Sequence, residues 1–329
     1  MGRAALAALV AAAPVAVAVA QPARDVRYDP IVAEVLVTPE GRALLEAFWA
    51  IQRDYLGTVD PAVLLEGALR GLVSAVGDPY VRYLDPDELA IERRTTRGPV
   101  PVVAGTIGDI GYLRLLSFDS EAAGDRFAEE FHLLADRGVR GLVVDLRGNP
   151  GGLILGGLQV LDLFLTDAVL GYRQTRFGPV PLGFANPRYA PLPLAVLVDR
   201  DTASTAEIVA GALQTHRRAR LYGEVTAGKG VGQSTVPLSD GGELRLVTFA
   251  WVLPDGRDVH GWGLTPDVAV RGQVPPLAAA DLARVIVEPD LDPALTAAVR
   301  GLRRVLGDEL AGVAKPADGA GGVVPVVGP

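Results

Sequence analysis

At 329 residues and 49% hydrophobic, the chain has room for one large domain or two ordinary ones, with ample core. A formal net charge of −8 without any long basic run argues against a nucleic-acid partner. Cysteine is absent, which removes disulfides, thiol catalysis and cysteine-ligated zinc, and His132, His216 and His260 are widely spaced with no HExxH pattern, so nothing singles out a histidine for chemistry.

Residues 1–20 read as a signal peptide: Arg3 supplies the positive start, an apolar stretch follows, and Ala18-Val19-Ala20 makes a small-residue cleavage site. The expected address is exported, periplasmic or extracellular, with membrane association only if that segment stays uncleaved. Residues 21–37 read as an extended lead-in. A helical region follows over 38–92. Thr38 is its N-cap and Pro39 its first helical residue, with Leu44, Leu45, Phe48, Trp49 and Ile51 on the expected buried side. Asp60-Pro61 opens a second helix, in which Leu64, Leu65, Ala68, Leu69, Leu72, Val73 and Val76 recur at helical spacing until Gly77. Residues 78–88 read as a turn-rich packed loop.

The span 93–273 reads as the core. Residues 93–105 look like a linker or an edge strand, 110–118 a strand, and 120–138 an amphipathic helix closed by glycine. Residues 139–145 form an apolar run ending in a charge, as a buried strand does. It feeds Leu146-Arg147-Gly148-Asn149-Pro150-Gly151-Gly152 and then a helical stretch to Leu165. Strand, glycine-rich turn and helix in that order make a nest of backbone N–H groups. The nest is open to three readings: a tight turn only, an anion site, or an oxyanion hole. A phosphate site is poorly supported, because neither GxxxxGK[ST] nor GxGxxG is present. Residues 194–198 are a second buried strand and 220–223 a short one. Residues 234–238 and 243–253 make a hairpin around Ser239-Asp240-Gly241-Gly242. A C-terminal segment, 274–310, carries a helix starting at Asp292-Pro293, and the Gly/Pro/Val-rich tail 311–329 is expected to be disordered. The alternation of strands and helices argues an α/β or mixed α+β core.

Chemistry concentrates in residues 201–233. Ser204-Thr205-Ala206-Glu207 fits a capping box, which is sufficient reason for a serine at a helix start. Ser204 is equally placed to be a nucleophile if a base takes its proton. Lysine usage points to that base. Of 31 basic residues only Lys229 and Lys315 are lysine, leaving 29 arginines, and Lys315 lies in the tail. Arginine cannot give up its proton in a protein and lysine can, so Lys229 between Gly228 and Gly230 reads as a base, with a surviving surface lysine as the alternative.

Taken in order, DPYVRYLDPDE at Asp78, IGYLRLLSF at Ile110, VVDLRGNPGG at Val143, TASTAEIVAGAL at Thr202, GEVTAGKGVGQ at Gly223 and HGWGLTPDV at His260 resemble the carboxy-terminal processing, or tail-specific, serine peptidases. The resemblance implies a crotonase and Clp-protease type ββα core with helical segments at both ends. It implies Ser204 as nucleophile, Lys229 as general base and Gln233 as the residue that orients the lysine. It implies an oxyanion hole from the Thr205 amide and from Gly151 or Gly152. The implied activity is endopeptidase action on protein or peptide substrates through an acyl-enzyme, with no metal or organic cofactor implied; the helical segments at both ends are candidates for packing in a homodimer. Two departures stand out. Relatives carry a PDZ domain where residues 89–109 alone join the two flanking regions here, too few for such a fold. Asp201 stands where a glycine is usual. A binding module without turnover, or a Ser-Lys amidase or esterase of small substrates, are the rival readings.

Overall fold

The computed structural model describes residues 34–35, 37–96, 102–185, 192–271 and 292–307. The signal segment, the tail and most of the lead-in lie outside these residues. Residues 34, 35 and 37 of the expected extended lead-in are helical. The chain divides into two compact units, one of residues 1–89 and 234–246, the other of 90–233 and 247–329. Segment 234–246, expected inside the 93–273 core, belongs to the first unit.

In the first unit, helix α1 (Pro39–Asp54) starts where Thr38 accepts the Gly41 N–H at 3.0 Å, and α2 (Pro61–Ser74) where Asp60 accepts the Ala62 N–H at 2.8 Å. Both starts match their sequence signals. Their buried faces do not. Leu44, Leu45, Trp49 and Ile51 are exposed, Trp49 at 70%, and α2 buries no residue. Helical spacing identifies side chains that share a face; here Phe48, Leu64, Leu69 and Val73 are half-buried and the rest of the stripe faces solvent. The expected loop 78–88 contains strand β1 (Arg82–Leu84) and the start of α3 (Pro86–Thr96). Asp85 caps α3, accepting the N–H groups of Asp87 and Glu88 while Glu88 accepts its own N–H, a complete capping box. Strand β1 pairs antiparallel with the first residues of β10 (Glu243–Val252), Tyr83 opposite Leu244. Tyr83 Oη donates to Asp240 Oδ2 at 2.6 Å in the turn ahead of β10.

The second unit is built on a six-stranded sheet. Its strands are β2 (Val102–Ile107), β3 (Ile110–Leu115), β4 (Gly141–Asp145), β7 (Leu194–Val198), β8 (Ala219–Gly223) and β11 (Val268–Ala269), ordered β11-β8-β7-β4-β3-β2. Only β2, the edge strand within the expected linker, is antiparallel. Every residue of β3, β4 and β7 is buried, as parallel strands covered on both faces must be. One face carries α4 (Ala123–Asp136), α5 (Ile154–Asp162) and α6 (Thr205–Thr215), with Phe131 and Phe164 edge to face at 5.4 Å. The other carries α7 (Pro293–Val305), whose Leu295, Ala298, Val299 and Leu302 sit on Ile110, Tyr112, Val143, Leu197 and Tyr222. A hairpin of β5 (Tyr172–Thr175) and β6 (Gly178–Pro181) pairs with the end of β10, and β9 (Val231–Pro237) also pairs with β10. Among the described residues no helix is long and apolar enough to cross a membrane.

Candidate active site

Strands β4, β7 and β8 lie side by side and parallel, so their C-terminal ends share one edge of the sheet. The loop after each carries expected site residues, the usual place for a site in a parallel sheet. The loop after β4 is 146–152. Its last two residues have φ of +96° at Gly151 and +134° at Gly152, values that only glycine adopts freely. A Cβ at Gly152 would lie 2.2 Å from the Phe118 carbonyl carbon, so backbone meets backbone there. Gly151 gives its N–H to Asn149 Oδ1 at 2.9 Å and accepts the Phe118 N–H at 2.7 Å.

The loop after β7 is stitched to the first at four points. Buried Asp199 accepts the Gly148 N–H at 3.0 Å. Thr202 Oγ1 lies 2.9 Å from the Leu146 carbonyl, Ala203 donates to the Asn149 carbonyl at 2.9 Å, and Thr205 Oγ1 donates to the Gly152 carbonyl at 2.7 Å. A Cβ on Gly151 would lie 2.7 Å from Ser204 Cβ and 2.9 Å from the Thr205 nitrogen. Gly151, Ser204 and Thr205 therefore converge. Ser204 has φ +54° and ψ −119°, a strained backbone for a residue with a side chain, of the kind that clusters at functional sites.

The loop after β8 brings in the lysine. Ala227 donates to the Thr202 carbonyl at 3.0 Å, and Trp251 Nε1 to the Lys229 carbonyl at 3.1 Å. Gly230 lies against His260, whose Cβ would be 2.7 Å from any Cβ placed on the glycine. Ser204, Lys229 and Gln233 are each half-buried, with Gln233 on β9 just beyond the loop.

Glu207 joins the loops. Its carboxylate is fully buried. Oε2 accepts the Ser204 N–H at 2.9 Å and the Lys229 N–H at 2.8 Å; Oε1 accepts the Gly228 N–H at 2.8 Å and the Thr226 hydroxyl at 2.5 Å. The capping relation between Ser204 and Glu207 read from the sequence is present. Its second use, holding the lysine loop, was not visible in sequence, because Lys229 lies 22 positions on. Asn149, Asp199 and Thr226 were likewise missed; Asn149 in the glycine-rich turn was the one with a local signal. Among the described residues no cluster of three or more His, Cys, Asp or Glu could hold a metal ion.

Residues 109–270 match peptidase family S41, and residues 35–88 match the N-terminal domain of the activating protease CtpB. Curated relatives include a carboxyl-terminal-processing protease of Synechocystis sp., 40% identical over 163 residues, or 49% of this chain and 38% of that protein. A carboxy-terminal-processing protease of Bartonella bacilliformis is 38% identical over 179 residues, 51% of this chain and 40% of the relative. The processing protease CtpB of Bacillus subtilis is 32% identical over 164 residues, 49% and 34%. The matched regions thus span well under half the length of these relatives. Among solved structures, the photosystem II D1 C-terminal processing protease superposes with a TM-score of 0.58 at 23% identity, covering 79% of this chain and all of that one, which bears out the expected peptidase fold. By these matches residues 109–270 are a peptidase family S41 domain, with a CtpB-like N-terminal domain ahead of it at 35–88.

Proposed function

We propose that the chain is an exported serine endopeptidase of the carboxy-terminal processing type, with Ser204 as nucleophile and Lys229 as general base. One observation carries the reading: a single buried oxygen, Glu207 Oε2, accepts the backbone N–H of both Ser204 and Lys229. That shared acceptor supports the two residues working as one unit. Neutral Lys229 takes the Ser204 hydroxyl proton as the alkoxide attacks the peptide carbonyl, and Gln233 orients the lysine. The oxyanion is held by backbone donors. Because the Gly151 N–H is already given to Asn149, the donors are assigned to Gly152 and Thr205. The lysinium then protonates the leaving amine, and water releases the acyl-enzyme by the same proton path. Substrates are protein or peptide chains, and the apolar residues left exposed on α1 and α2 support a homodimer through the helical segments.

The test is Ser204→Ala and Lys229→Ala, each assayed on casein and on a peptide. Both abolish turnover, and the double variant is little worse than either, as for any catalytic unit. Lys229→Arg is as inactive as the alanine variant, because arginine stays charged. Activity within about tenfold of wild type in any of these variants refutes the assignment.

A further inference from the structure

The apolar face of α7 explains why the helix docks, and it leaves its first residue unexplained. Asp292 is completely buried and caps α7, accepting the Ala294 and Leu295 N–H groups, each at 3.0 Å. Both bonds use Oδ1. The cap therefore needs one oxygen, which an asparagine or a serine supplies equally well. The second oxygen, Oδ2, lies 2.6 Å from Arg147 Nη2, although off the line of an N–H bond, so that contact is one of charge.

Arg147 stands in the turn that leads to Gly151 and Gly152. Its backbone N–H and Nε both go to Asp145 Oδ1, at 3.0 and 2.9 Å, and Nη2 goes to Asp145 Oδ2 at 2.6 Å. Its carbonyl accepts from Arg114 Nη2 at 3.1 Å, and Tyr112 Oη donates to Asp145 Oδ2 at 2.7 Å. Burial opposes charge on Asp145, yet the Arg147 guanidinium holds its carboxyl below the usual carboxylate range. Arg114, Asp145, Arg147 and Asp292 are all at most 2% exposed. Asp145 and Asp292 are the two carboxylates against the Arg147 guanidinium, and Arg114 reaches the same turn through the Arg147 carbonyl. Removing one partner of a buried ion pair is strongly destabilising, because the charge left behind is uncompensated. The charge left here is that of Arg147, carried by the 146–152 turn.

We propose that Asp292 is a positioning residue for this turn: through Arg147 it anchors the turn to the N-terminus of α7, and so fixes the shape that presents the Gly152 N–H beside Ser204. The helix lies beyond the family match, which ends at residue 270, so the site would extend to a part of the chain outside that match. The inference rests on reading Gly152 and Thr205 as the oxyanion donors.

The experiment compares the full chain carrying Asp292→Asn with Leu295→Ala and wild type. Asparagine keeps the cap and removes the charge; Leu295→Ala weakens the same helix and leaves Arg147 untouched. Amide hydrogen exchange over 148–152 is expected to speed up by about tenfold or more in Asp292→Asn and not in Leu295→Ala. In peptide hydrolysis kcat should fall by about tenfold or more with KM within about threefold, while Leu295→Ala keeps kcat within about threefold despite a lower Tm. Unchanged exchange in Asp292→Asn, or equal losses in Leu295→Ala, overturns the inference. Faster exchange with unchanged kcat upholds the anchoring and refutes the oxyanion role of the turn. If Asp292→Asn does not fold, Asp292→Ser takes its place under the same criteria, since serine likewise supplies one capping oxygen and no charge.

Discussion

Replacing Glu207 separates geometry from charge at the centre of the site. Four donors surround the carboxylate: the N–H groups of Ser204, Gly228 and Lys229, and the Thr226 hydroxyl. Glutamine can accept from two of them. With its oxygen in place of Oε2 it keeps the Ser204 and Lys229 N–H groups, and its NH2 can donate to the Thr226 hydroxyl, which reverses that bond and adds to the one the hydroxyl accepts from Leu264 at 2.7 Å. The Gly228 N–H is then orphaned, a cost of about 1–3 kcal/mol. For a unit of this size each kcal/mol lowers Tm by roughly 2–4 °C. Alanine orphans all four donors, on the order of 4–12 kcal/mol by the same rule. That is comparable with the whole stability of a domain, about 5–15 kcal/mol. Glu207→Gln is therefore expected to fold with a modestly lower Tm and to keep kcat within about tenfold of wild type. Glu207→Ala is expected to be unfolded, or folded with a melted 226–230 loop and no activity. Calorimetry and a peptide-hydrolysis assay on both variants decide it. A soluble Glu207→Ala that unfolds cooperatively within about 4 °C of wild type would show that the carboxylate does not clamp the loops. A Glu207→Gln as damaged as Glu207→Ala would show that charge, and not the count of acceptors, is what the site needs.

Gly151→Ala places a Cβ 2.7 Å from Ser204 Cβ and 2.9 Å from the Thr205 nitrogen, so fluorophosphonate labelling of Ser204 should slow by about a hundredfold or more, and unchanged labelling would exclude Gly151 from the site. The Tyr83–Asp240 bond predicts a pH window in stability. The bond holds the Asp240 carboxyl below its ordinary 3.8, so that stabilisation exists above 3.8 and is lost as pH falls through the depressed value. It also pushes the Tyr83 phenol up to about 12, so that stabilisation exists below 10.0 and is lost as pH rises toward 12. The Tm difference between wild type and Tyr83→Phe should be flat between these limits and shrink outside them; a difference independent of pH refutes the bond. Helix α3 ends at Thr96 and β2 begins at Val102, leaving no room for a PDZ insert to hold a substrate carboxylate. Cleavage of an unfolded substrate should therefore lose less than about tenfold, some 1.4 kcal/mol, when its C-terminus is amidated.

What the sequence decided by itself was local. Thr38-Pro39, Asp60-Pro61 and Asp292-Pro293 each start a helix, because a capping side chain and a proline act within one turn of where they stand. The apolar runs 141–144 and 194–198 are buried strands, because no amphipathic element could bury every residue. Asp85-Pro86-Asp87-Glu88 carries a capping box of the same local kind inside the stretch expected to be a loop. The β5–β6 hairpin has no comparable mark: none of its strand residues is fully buried, and pairing with β10 holds it. Exposure of the α1 stripe could not be read either, since periodicity names a face and is silent on its partner. Resemblance and the scarcity of lysine single out Ser204, Lys229 and Gln233 as candidates, and their half-buried placement around one sheet edge comes from the parallel order of β4, β7 and β8. The tertiary structure alone decided what holds that edge. Glu207 meets Lys229 across 22 positions, and Arg147 meets Asp292 across the length of the domain. A buried carboxylate has strong affinity for any donor the fold delivers, and nothing in its own neighbourhood of sequence states which one that will be.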